Sequence, residues 1–163
     1  MIKTILIATD FSLESLDVLK KVLKNKSEQN DENQYNILFV SGFDMGDSIR
    51  DLLFTTKSSI FGKIRPQEFC DAYSIIKNKY PTLINKITCD IFTGSFQRTF
   101  NNYIETAVID EAYFSSAKSR NLSKGQFDMT PYLKKCKHVN AVEVLTQTPE
   151  FVPEKGRLAE VFL

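Results

Sequence analysis

The sequence predicts a three-layer α/β fold in which a five-stranded, mostly parallel sheet is wound in both directions and covered by helices on each face. Three observations carry this. Short apolar runs rich in β-branched residues alternate with stretches of helical periodicity, in the order β-α-β-α-β-α-β-α-β. Several of these runs are apolar throughout, as strands buried on both faces are. The length, 163 residues, suits one domain that encloses its own core without staples.

The first strand is predicted over 5–8, where Asp10-Phe11-Ser12 then supplies turn and N-cap chemistry. Leu13, Leu16, Leu19, Val22 and Leu23 follow at helical spacing, with Lys20, Lys21 and Lys24 at the end where cations complement the helix dipole. The polar stretch 25–34 reads as a loop and 35–40 as the second strand. Residues 41–65 form a long excursion broken by Gly42, Gly46 and Gly62, in which Ile49, Leu52 and Leu53 fit a short helix. Pro66 opens a helix with Phe69, Ala72, Tyr73 and Ile76 on one face, and Tyr80-Pro81 closes it.

Ile87, Cys89 and Ile91 alternate with polar neighbours and give the third strand. Gly94-Ser95 turns the chain into a helix whose core face is Phe96, Phe100, Tyr103, Ile104 and Ala107. A fourth strand is expected over 112–116 and a polar loop over 117–127. Thr130-Pro131 then opens a helix running to about His138, and 139–145 closes the sheet. The tail carries Pro149 and Pro153 before the apolar terminus 158–163, so the division expected is a domain over 1–146 and a C-terminal extension over 147–163.

Composition narrows the function classes. Lys and Arg number 21 against 20 Asp and Glu, a net charge of +1, and neutralising a run of phosphates takes a clear basic surplus, so no nucleic-acid partner is expected. Cys70, Cys89 and Cys136 are scattered and odd in number, and His138 is the only histidine, which argues against a zinc site or a disulfide framework. Thr9 and Asp10 cut the first apolar run well short of a signal-peptide core, and no run approaches the about 18 residues of a membrane span. A reducing cytoplasm and no membrane are the expectation.

In doubly wound sheets ligands bind beyond the carboxyl ends of the strands, where strand order reverses, so the loops after Ala8, Val40, Phe92 and Ser116 are the ones to inspect. Asp10 stands at the first of them. Its carboxylate suits a ligand amine or hydroxyl, or a divalent cation, and suits equally an Asx-turn or cap for the following helix. His138, at the end of its helix, reads as a partner of the dipole, and no serine or cysteine has an evident base beside it. Cys89 reads as core, Cys70 as bordering an apolar helix face and Cys136 as partly exposed.

The run KTILIATDFS at 3–12, followed by an amphipathic helix, resembles the opening of the universal stress protein family, and ILFV at 37–40 resembles that family's second strand. Gly94 and the helix after it, the strand at 112–116 and the run at 139–145 fall at spacings similar to the later units. The resemblance covers roughly 1–146 and implies a Rossmann-like fold of the adenine nucleotide alpha hydrolase-like kind. It also implies that adenine and ribose, where bound, lie near Asp10 and Val40, with the phosphates on a glycine motif, Gly-x2-Gly-x9-Gly-Ser/Thr, after the fourth strand. Here that loop reads SAKSRNLSKGQFD at 116–128, with Gly125 as its one glycine, so the backbone cradle that phosphate needs is missing. Lys118, Arg120 and Lys124, with the hydroxyls of Ser116, Ser119 and Ser123, are the residues that would replace it if side chains serve as anion ligands. A solvated basic loop is the plainer alternative.

Two functions follow. The first is a non-catalytic stress-response domain, a homodimer or an adaptor for another protein, with weak or no ATP binding and no cofactor or metal. The resemblance implies a dimer through the last strand, with Val142, Val144 and the tail 158–163 as contacts. The second is a sensor holding ATP or AMP in a pocket of Asp10, Val40, Ser116 and Arg120. A phospho-acceptor receiver shares the five-stranded plan. It needs an acidic pair after the first strand, an aspartate ending the third and a lysine after the fifth, where this chain has Asp10 alone, Asp90 within the third strand and Thr146.

Overall fold

A computed structural model describes residues 1–46, 55–115 and 122–146 of the chain. The strands are β1 Ile2–Ala8, β2 Gln34–Phe43, β3 Ile84–Phe92, β4 Glu111–Ser115, β5 Gln126–Phe127 and β6 Ala141–Val144. The helices are α1 Leu16–Glu28, α2 Lys57–Ile64, α3 Gln67–Lys79, α4 Gln97–Thr106 and α5 Thr130–Lys135, with a single 3-10 turn, Leu13–Ser15, leading into α1. The main path of the sheet runs β3-β2-β1-β4-β6, all parallel, and β5 pairs antiparallel with the end of β2.

Alternation along β1 shows why the sheet is buried on both sides. Ile5 and Ile7 enter one core cluster with Leu16, Leu19 and Leu23 of α1 and Phe69, Ala72 and Ile76 of α3. Leu6 enters the opposite cluster with Phe100 and Ile104 of α4 and Leu133 of α5. Two helical layers thus sandwich one sheet, as the apolar runs predict. The strand order also settles the comparison with receivers, whose doubly wound order is 2-1-3-4-5, against the 3-2-1-4-5 pattern of the five parallel strands here.

Several boundaries differ from the sequence expectation. Helix α1 starts three residues late because Leu13–Ser15 is a 3-10 turn, and it runs on through Glu28 into the stretch expected as loop. Strand β2 reaches Phe43 and β3 begins at Ile84, each lengthened by the pairing of the two. The excursion contains α2, opened by a capping box between Thr56 and Ser59, and the polar stretch before Thr130 contains β5. Phe96 is 72% exposed rather than core, because it is the N-cap residue of α4 and not part of its inner face. The last helix ends at Lys135, so His138 lies exposed beyond it and caps nothing there, while Cys136 is buried beneath the sheet's second cluster. Ile49, Leu52 and Leu53, the tail 147–163, and the contact expected from 158–163 lie outside the described residues. No described helix is long and apolar enough to cross a membrane.

Candidate functional site

The connection from β1 to β2 moves one way along the sheet, and the connection from β3 to β4 returns to the other side of β1. Strand order therefore reverses at β1, and the crevice above its carboxyl end is the place for a ligand. Asp10 and Val40 both lie at that end of the sheet. Ser116, Arg120, Lys118 and Ser119 lie outside the described residues, while Lys124 is exposed.

Asp10 is buried and turned on its own chain. Its Oδ1 accepts the Ser12 N–H at 2.9 Å and also the Ser12 hydroxyl, which makes an Asx-turn. Thr9 completes the turn: its Oγ1 accepts the Phe11 N–H at 2.9 Å and lies 2.6 Å from Ser15 Oγ, which donates to the Ser12 carbonyl at 2.7 Å. Between the two turns Phe11 is forced to φ 60°, a conformation unfavourable to a side chain. Burial offsets that strain, for the Phe11 ring is fully enclosed, edge-on to Phe69 at 5.4 Å and to Phe61 at 6.0 Å.

Val40 is fully buried, and its carbonyl accepts the Thr9 N–H at 3.0 Å, the last bond of the β1–β2 ladder. Next along β2, the Ser41 hydroxyl accepts the side-chain amide of Gln126 at 3.0 Å, and the same amide donates to the Asp10 carbonyl at 3.3 Å. Gln126 Oε1 in turn accepts the Ser123 N–H at 2.7 Å. Among the described residues no buried side-chain nitrogen or oxygen lacks a hydrogen-bond partner. Among the described residues of the crevice, Asp10 Oδ1, the Val40 carbonyl, the Ser41 hydroxyl and the Gln126 carboxamide are all bonded within the chain.

Sequence reasoning missed Ser41, Gln126 and Phe127. Two residues of strand carry no periodicity, and the one available signal was a pair of aromatic–glycine neighbours, Gly42-Phe43 and Gly125-Gln126-Phe127, at the two segments that meet.

Two further polar clusters flank the sheet, the first in register with Val40. On β3, Asp90 accepts Lys57 Nζ at 2.7 Å and the Tyr103 hydroxyl at 2.8 Å. Burial alone would raise its carboxyl, but these bonds and the Ile91 N–H outweigh burial and hold it below the usual carboxylate range. At the opposite end of the sheet Lys26 Nζ lies 3.0 Å from Glu111 and 4.4 Å above the Tyr35 ring. Burial pushes the Cys89 thiol up despite the Arg65 guanidinium beside it, which disfavours the thiolate a nucleophile requires.

No protein-family model matches the sequence, and no curated protein does either. Solved structures do match. A universal stress protein family protein from Arabidopsis thaliana, solved with AMP bound, is 12% identical over 93% of this chain and 97% of that one, with a TM-score of 0.51. Universal stress protein UspA from Lactobacillus plantarum is 14% identical over 89% and 97%, with a TM-score of 0.49. A universal stress protein family member from Burkholderia pseudomallei is 10% identical over 86% and 95%, at 0.48. The fold is therefore the mostly parallel, helix-flanked α/β fold of universal stress proteins.

Proposed function

We propose that this chain, with the universal stress protein fold as its frame, is a non-catalytic stress-response domain that binds ATP weakly or not at all and works through its surface, as a homodimer or an adaptor for another protein. The observation that carries the proposal is the use made of Asp10 and Val40. One closes the turn into α1 through Ser12 and the other ends the β1–β2 ladder through Thr9. Residues that would hold adenine and ribose in a binding relative serve the fold here. The loop at 116–128, with one glycine, supports the same reading from the phosphate side.

The dimer reading draws on β6. It is an edge strand of four residues whose Val142 is 45% exposed, followed by Leu145 at 78%. An apolar edge of a parallel sheet needs cover, and a second copy supplies it symmetrically. Light scattering of the full chain and of Val142→Lys tests this: a dimer that becomes a monomer supports the role of β6, and a dimer untouched by the substitution refutes it.

A second reading, an adenine-nucleotide sensor with an altered phosphate loop, draws on the AMP held by the Arabidopsis protein. Denaturing freshly purified protein and identifying released small molecules by mass spectrometry separates the two. An empty protein supports the first reading, and stoichiometric AMP or ATP replaces it with the second.

A further inference from the structure

We propose that the segment 122–127 is an autoinhibitory plug, in which the Gln126 carboxamide occupies the ligand positions of the strand-reversal crevice and Phe127 locks it against β2. The inference rests on the reading of that crevice given above and adds its regulation.

The geometry begins with strand lengths. Pairing of β1 with β2 stops at Ala8 opposite Val40, while β2 continues to Phe43. The side of β2 that β1 vacates is taken by β5, with Gly42 opposite Phe127 and Phe43 opposite Gln126. The Asp44 N–H adds a bond to the Gly125 carbonyl at 2.7 Å. Chain returning from β4 thus lies in line with β1, over its carboxyl end.

Two glycines make the closure possible, each beneath the other segment's aromatic ring. A Cβ at Gly42 would stand 2.5 Å from the Phe127 ring, and one at Gly125 would stand 2.7 Å from the Phe43 ring. Gly125 also takes φ +92°, a turn that an L side chain resists. Phe127 then joins Phe92 and Tyr132, at 6.3 and 6.2 Å between centroids, and so anchors the segment in the core on that side of the sheet.

What the plug holds has a definite chemistry. The carboxamide is planar, with a donor aimed at the Asp10 carbonyl and the Ser41 hydroxyl and an acceptor meeting the Ser123 N–H. Ser123 leaves with the segment, so the positions open to a ligand are the Asp10 carbonyl and the Ser41 hydroxyl, and an amino donor such as the exocyclic amine of an aminopurine competes for them. It gains them only by expelling Gln126, whose pairing to β2 extends over two residues. That ladder is short, but expelling the segment also gives up the Phe127 contacts with Phe92 and Tyr132, so a ligand opens the plug only against that packing.

Two substitutions in the full chain test the plug by different routes. Gln126→Ala removes the occupant, and Gly42→Ala forces the Phe127 ring off β2 while leaving Gln126 intact. Calorimetric titration with adenosine is run on wild type and on both variants, with folding checked by circular dichroism. At least tenfold tighter binding by a folded variant than by wild type is the expected result. Folded variants that bind no better overturn the proposal, as do variants that both fail to fold, since the segment would then be an integral part of the core. Micromolar binding by wild type alone would refute the weak-binding reading of function, whereas the plug is judged on the ratio of variant to wild type.

Discussion

Asp10 shows how one side chain serves either a ligand or the fold. Its carboxylate is committed to Ser12, and the Asx-turn it makes sets the path into the 3-10 turn before α1. Asp10→Ala is therefore expected to cost about 1 kcal/mol of stability, the usual net worth of a lost hydrogen bond, and urea unfolding measures it. Asp90 makes a second prediction at this scale. Its folded carboxyl lies below its unfolded value, so it contributes stability above about pH 4 that is lost as pH falls through the folded value. The melting temperature of wild type is expected to drop on that acid limb, and Asp90→Asn to show a flatter limb. Equal limbs would mean that Lys57 and Tyr103 do not hold the charge.

Among the elements, legibility in the sequence followed the amount of pattern each one carries. The strands β1 to β4, and helices α1, α3 and α4, announce themselves by apolar repeats, because each buries a full face. What escaped were the pieces whose placement depends on a partner far away in the chain. Phe96 has helical spacing to Phe100 but falls one residue before the helix and stays exposed. Strand β5 exists because Gly42 leaves room for Phe127, a fact of tertiary approach that neither segment reveals alone. The crevice was legible in the same uneven way: Asp10 and Val40, singled out from the sequence, lie at the carboxyl end of β1 and β2, and Gln126 was hidden. At this scale the core of the second face yields a prediction, because Phe100 is fully buried against Phe92 and Tyr132. Phe100→Ala is expected to destabilise the protein by about 3–5 kcal/mol, read as a lowered urea midpoint with an unchanged slope.

For the whole molecule, the two ends of the sheet do different work. The amino ends are closed by Lys26, Asp31, Tyr35, Glu111 and Tyr113, a polar network with one cation between two carboxylates. Lys26→Ala leaves those carboxylates facing each other across a half-buried space and is expected to cost about 3 kcal/mol; an effect under about 0.5 kcal/mol, the scale of an exposed pair, would show the network to be surface only. The carboxyl ends, where the fold offers a ligand its place, are closed by the chain itself through Thr9, Asp10, Ser41 and Gln126. In the function proposed above, that closure leaves the surface, with the exposed Val142 and Leu145 beside the β6 edge, to carry the work. The most direct test is a nitrogen-15 NMR spectrum of wild-type protein recorded with and without ATP and magnesium. The account predicts slow amide exchange at Asp44 and Ser123 and no shift at Thr9, Asp10, Ser41 or Gln126 on adding nucleotide. Saturable shifts at those four residues would contradict it, because they would place the nucleotide in the crevice that Gln126 fills.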